Sequence, residues 1–141
     1  MKAKILMLFA LFLMLTGFYG GDRIVEQSGV NLQEEVDGFA PTPISKPSVY
    51  GSDNGNTVIL EIRFKAKPKA NVIWYHGTKV VEEDHRHEII ENAKSSDEYT
   101  AMLIIRDIEM GDTGEYKGNV KNEFGEFNGI IKLNFDPVQN I

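Results

Sequence analysis

Residues 112–118 read Asp112-Thr113-Gly114-Glu115-Tyr116-Lys117-Gly118, and this stretch decides the fold. Gly114 stands where an acidic turn gives way to a strand, a place where glycine supplies backbone conformations that other residues resist. On the N-terminal side, Ile108 to Asp112 has room for a single helical turn, and before it Tyr99 to Arg106 alternates so that Ala101, Leu103 and Ile105 share one face. On the C-terminal side, Gly114 to Asn122 forms a strand, Glu123-Phe124-Gly125-Glu126 a hairpin turn, and Phe127 to Phe135 the next strand. Farther out, Thr57 to Lys65 alternates cleanly, with Val58, Leu60, Ile62 and Phe64 on the buried face. Asn71 to His76 is a strand that Gly77-Thr78 turns toward Lys79-Val80-Val81, and His87 to Glu91 is another, followed by a polar turn at Lys94 to Asp97. Lys46 to Gly51 reads as the first strand, with Pro47 near its edge, and Asp53-Asn54-Gly55 as the turn after it. Short strands between turn signals, with no helical period of useful length, predict an all-β sandwich of two antiparallel sheets.

Composition bounds the partners. A hydrophobic content of 42% beside 26% charged residues is that of a globular chain, not a disordered one. Net charge is −6, and losing Lys2 and Lys4 with a cleaved leader would take it to −8. A surface of that sign repels phosphate backbones, which argues against nucleic-acid binding.

Residues 46 to 136 resemble an I-set immunoglobulin domain, as found in neural adhesion proteins and in muscle proteins of the titin and twitchin kind. The matching elements are Leu60-x-Ile62, Trp74-Tyr75 with Gly77, Leu103-x-Ile105-x-x-Ile108, the Asp112-x-Gly114-x-Tyr116 run, and Asn122-x-x-Gly125. The resemblance implies a Greek-key sandwich with Trp74 filling the space between the sheets. It implies a Tyr116 hydroxyl bonded back to the main chain at the preceding turn, and Asp112 paired with Arg86. It also exposes a departure: the two positions where the family carries its inter-sheet disulfide are Ile62 and Gly118, and the chain has no cysteine. A bridge closing the 56 residues between those positions would be worth about 4 kcal/mol on the chain-entropy argument. A buried isoleucine returns roughly 1.5–3 kcal/mol, so a large–small pair at Ile62 and Gly118 is expected to hold the sheets by packing alone.

The ends carry localisation signals. Met1-Lys2-Ala3-Lys4 followed by apolar Ile5 to Phe18 reads as a signal peptide over residues 1–20, too short to span a bilayer as a stable helix. An uncleaved leader serving as a membrane anchor is the alternative, since no A-x-A cleavage motif is present. Residues 21–45, acidic and ending in Pro41-Thr42-Pro43, read as a flexible stalk, and 137–141 as a tail.

Chemistry is sparse. No nucleophile elbow, phosphate loop or metalloprotease motif occurs, so neither an enzyme nor a cofactor is implied. The Glu82-Glu83-Asp84-His85-Arg86-His87-Glu88 run is the one metal-like cluster, because His85 and His87 would share a face on a strand. Tyr75, Phe124 and Phe127 are the candidate partner contacts, Phe124 because turn tips are normally polar. The last strand is a candidate edge for homodimer pairing or strand addition. The leading expectation is a secreted single-domain module that binds a protein at the cell surface or in matrix, in adhesion or recognition. A structural domain of the intracellular muscle type is the alternative, favoured by the missing cysteines, and metal binding through His85 and His87 the second alternative.

Overall fold

The computed structural model describes residues 34–135. The leader at 1–20, residues 21–33 of the expected stalk, and the tail at 137–141 lie outside the described residues. Among the described residues, nine strands form two sheets: β1 Phe39–Pro43, β2 Ser48–Ser52, β3 Thr57–Lys67, β4 Asn71–His76, β5 Lys79–Val80, β6 His87–Ala93, β7 Glu98–Arg106, β8 Gly114–Asn122 and β9 Gly125–Leu133. The first sheet runs β1-β3-β7-β6 with β2 also paired to β3, and the second runs β5-β4-β8-β9. All pairings are antiparallel.

The period-two reading of the long strands holds residue by residue. Leu60, Ile62, Phe64, Leu103, Ile105, Trp74, Tyr116 and Val120 are fully buried, and all of them project between the two sheets. The β3–β7 register sets Leu60 opposite Leu103 and Ile62 opposite Ala101, so the central pair of the first sheet delivers an unbroken apolar face. Phe64 closes one end of the core, stacked on Tyr99 at 5.6 Å and edge-on to Phe127 at 6.3 Å.

Two boundaries differ from the expectation. Phe39–Pro43 is a strand, paired to β3 with Pro43 opposite Phe64, where a flexible stalk running to residue 45 was expected. Proline is tolerated there because β1 lies at a sheet edge, where a missing N–H costs no ladder bond, and Pro41 is buried. The domain therefore begins before residue 46. The last hairpin turns on two residues, Glu123 and Phe124, with Asn122 opposite Gly125, so β9 starts earlier than Phe127. The turn at Asp53–Gly55 is a single 3₁₀ turn, with Asp53 and Asn54 both at positive φ.

Candidate functional site

The position of the family disulfide is filled by one side chain and two glycines. A Cβ placed on Gly118 would lie 2.3 Å from Ile62 Cδ1, and one on Gly129 would lie 2.6 Å from the same atom. Gly118 pairs with Trp74 on one side and with Gly129 on the other, so a Trp–Gly–Gly row crosses the second sheet. Ile62, projecting from the first sheet, drives into the space the two glycines leave beside the indole ring. The expected Ile62–Gly118 complement is present. Gly129 is a third member that sequence reasoning missed.

The corner around Asp112 is a single polar knot. Tyr116 donates its hydroxyl to the Asp112 carbonyl at 2.7 Å, as the resemblance implied. The Asp112 carboxylate accepts the Glu109 main-chain N–H at 2.7 Å and receives the Arg86 guanidinium. Arg86 also donates to the Arg106 and Asp107 carbonyls at 3.2 and 3.1 Å, which ties β6 to the turn. Burial opposes the Arg86 charge, but the hydrogen bond and charge of Asp112 outweigh it and hold the guanidinium above its ordinary range. Gly114 has φ +128°, and a Cβ there would meet His76 Nε2 at 3.1 Å. His76 is a component with no sequence signal: its ring lies flat on Tyr116 at 4.3 Å and bonds the Thr113 carbonyl at 2.8 Å.

Two phenols titrate late for related reasons. Burial, with the Asp112 charge behind it, pushes Tyr116 up to about 12. Tyr50, though 40% exposed, is also pushed to about 12, by partial loss of water around its hydroxyl and then by its hydrogen bond to Glu61. A proton held more tightly in the folded state than in the unfolded chain contributes stability that is complete below pH 10 and lost as pH rises through 12. Absorbance titration at 295 nm is expected to show two tyrosines ionising together with alkaline unfolding near pH 12, and Tyr116→Phe to remove one of those late steps.

The three candidate contacts do not form one surface. Phe127 points inward and is half-buried against Phe64. Phe124 is 38% exposed, but its ring covers Gly38, where a Cβ would lie 2.2 Å from Cε2. Asn122 fixes that turn by donating to the Phe39 and Pro68 carbonyls at 2.9 and 3.0 Å, while its side-chain oxygen accepts from Phe124 N–H at 2.9 Å. Only Tyr75 stands on an open face, under Lys117 Nζ at 4.5 Å. It is joined there by the exposed Ile73 and Ile130, which the sequence reading had not singled out. Rows Tyr75–Lys117–Ile130 and Ile73–Asn119–Asn128 cross β4, β8 and β9, a mixed apolar and polar surface suited to protein contact.

The metal-like cluster comes apart. Strand β6 begins at His87, so His85 stays in the preceding bend and the two histidines share no strand face. His87 is engaged by Asp84, whose carboxylate takes the ring nitrogen at 2.9 Å and the Arg86 and His87 main-chain N–H groups at 2.7 and 2.8 Å. The His87 side chain leads those interactions in pulling the Asp84 carboxyl down to about 2. Among the described residues, no three His, Cys, Asp or Glu side chains are grouped to hold a metal ion.

Residues 41–135 match the Immunoglobulin I-set domain. The chain belongs to the I-set family. This I-set chain is 31% identical over 108 residues, 74% of its length, to the muscle M-line assembly protein unc-89 of Caenorhabditis elegans, and covers 1% of that protein. It is 28% identical over 76% of its length to the smooth-muscle myosin light chain kinase of Gallus gallus, covering 5% of it. Its fold is similar to the M4 domain of titin, with a TM-score of 0.58 and 23% identity across 70% of this chain and 98% of that one. The I-set chain thus spans a small part of the curated relatives it matches. No helix among the described residues is long and apolar enough to cross a membrane.

Proposed function

We propose that this I-set chain is a protein-binding module of the kind from which muscle immunoglobulin proteins are assembled, working by surface contact rather than chemistry. The observation that carries the reading is the 31% identity, over 74% of the chain, to a protein named for M-line assembly. The cysteine-free core supports it, because a domain held by packing keeps its fold in a reducing compartment. The face bearing Ile73, Tyr75 and Ile130 is the surface assigned to the partner.

A second reading, a secreted adhesion or recognition module, is favoured by the basic start and apolar run from Met1 to Phe18. The two part on location. The full chain with a C-terminal tag, expressed in cultured myotubes, is expected to stay in the cell and form a periodic pattern in register with the sarcomere. Processed protein in the medium, with a new N-terminus between Phe18 and Asp22, would instead establish the secreted module.

A further inference from the structure

The chain holds two Asn-Gly pairs, Asn54-Gly55 and Asn128-Gly129, and the fold treats them in opposite ways. An asparagine carboxamide followed by glycine is open to attack by the next main-chain nitrogen, because no Cβ stands in the way and the glycine backbone turns freely. Asn128-Gly129 lies within β9. Gly77 N–H donates to the Glu115 carbonyl at 2.8 Å, so by alternation Glu115, Lys117 and Asn119 bond toward β4, and Gly118 bonds toward its β9 partner Gly129. The Gly129 nitrogen is therefore held in the ladder, and the Asn128 side-chain oxygen accepts from Asn119 Nδ2 at 2.8 Å. Asn54-Gly55 has neither restraint. The β2–β3 ladder ends at Ser52 opposite Thr57, which leaves this pair outside it. Both residues are exposed, and a Cβ on Gly55 would have nothing within 4 Å. The side-chain bonds of the turn run from Asn56 to Asp107 at 2.9 Å and from Thr57 to Asp53 at 3.2 Å, and they bypass the Asn54 carboxamide. Asn54 and Gly55 sit at φ +56° and +85°, a region that glycine and asparagine enter with least strain. The turn itself thus calls for a chemically labile pair.

We propose that Asn54 is a site of spontaneous deamidation, and that the modification loosens the end of the domain that this turn fastens. The Gly55 main-chain nitrogen gives its proton to hydroxide or a buffer base and attacks Cγ of Asn54. The N–Cγ bond forms, the Cγ–Nδ2 bond breaks, and the amide nitrogen leaves as ammonia, closing a succinimide ring. Water then opens the ring at either carbonyl. One opening leaves aspartate in place of Asn54, and the other leaves isoaspartate, in which a side-chain carbon has entered the main chain. The only co-reactants are base and water. Either product adds a negative charge next to Asp53, in a chain whose net charge is already −6. Isoaspartate also lengthens a turn that is held on both sides. Asn56 N–H donates to the Asp53 carbonyl at 3.1 Å, and the Asn56 carbonyl accepts the Ile108 N–H at 3.2 Å. With the Asn56–Asp107 bond, these tie the β2–β3 hairpin to the turn after β7, where Arg86 is also anchored on the Asp107 carbonyl. A main chain longer by one carbon cannot keep all three bonds.

The test is incubation of the full chain in mildly alkaline buffer, followed by peptide mapping, with mass reading the amide-to-acid exchange and elution separating aspartate from isoaspartate. In the folded chain, conversion at Asn54 should outrun that at Asn128 by about tenfold or more, since local opening costs least at loop tips and most in core strands. In denaturant the two sites should convert at like rates, because only the fold distinguishes them. Asn54→Gly keeps the positive φ and should end the conversion with the hairpin intact. The isoaspartate form, separated by ion exchange, should melt below the fresh protein, whereas the Asn54→Gly chain incubated in the same way should keep its midpoint. Asn54 intact in the folded chain when the unfolded chain has fully converted, equal rates at Asn54 and Asn128 in the folded chain, or an isoaspartate form as stable as the fresh protein would each overturn the proposal.

Discussion

Ile62→Ala is expected to lower stability by about 2–5 kcal/mol, the range for truncating a fully buried aliphatic side chain to alanine. For a domain of this size that is a fall in thermal midpoint of about 10–25 °C. The expectation rests on where the methyl groups lie. Ile62 has no exposed surface, and its Cδ1 fills the notch between Gly118 and Gly129 beside the Trp74 ring. Both sheets hold their backbones in ladders at this point, Ile62 opposite Ala101 on one and Gly118 between Trp74 and Gly129 on the other. Neither can move in to close the gap, so the cavity term is near its upper end. Calorimetric or chemical unfolding measures it directly.

Asp112→Ala is the second large effect. Its carboxylate side chain is 9% exposed and that of Arg86 17%, so removing the acid strands a cation that burial already disfavours. The substitution also removes the acceptor for the Glu109 N–H, which closes the 3₁₀ turn Met110–Asp112. Breaking one partner of such a pair costs about 3 kcal/mol, with both losses combined. Arg86→Met in the natural chain should cost less, because an aliphatic chain keeps part of the packing and leaves the Glu109 bond in place. Equal losses for the two variants in urea unfolding would contradict this ranking.

Most of the scaffold was legible because its signals are local and repetitive. The alternation in Thr57 to Lys65 and Tyr99 to Arg106 specifies a buried face without knowledge of any partner, and every residue assigned to that face is buried. What escaped depends on register or on distant pairing. Pro41 and Pro43 spoke for a spacer, and only their place on a sheet edge beside β3 makes them compatible with a strand. Gly129 became visible as a partner of Gly118 only once the turn was known to hold two residues, since a four-residue turn sets a different register. Phe124 looked like an exposed tip because Gly38, the residue it covers, is 86 positions away in sequence. His85 and His87 could share a face only on a strand that held both, and the strand begins at His87, where the sequence reading itself had set its start.

The candidate contact surface was the least legible part. Tyr75, Ile73 and Ile130 come from two strands that are neighbours only through β8, and nothing local distinguishes an outward isoleucine that binds a partner from one that does not.

If Ile62, seated between two glycines, replaces the missing disulfide, its contact with Gly118 must be energetically coupled. A double-mutant cycle of Ile62→Ala and Gly118→Ala measures that coupling. In the natural chain Gly118→Ala forces a methyl to within 2.3 Å of Ile62 Cδ1 and should cost about 1–3 kcal/mol. In the Ile62→Ala background the next nearest atoms to that methyl are those of the Trp74 ring, at 3.5 and 3.6 Å, an ordinary contact, and the substitution should stabilise by about 0.4–1 kcal/mol. That reversal of sign is the predicted result. Equal, additive effects of Gly118→Ala in both backgrounds would mean that Ile62 and Gly118 do not substitute for the bridge.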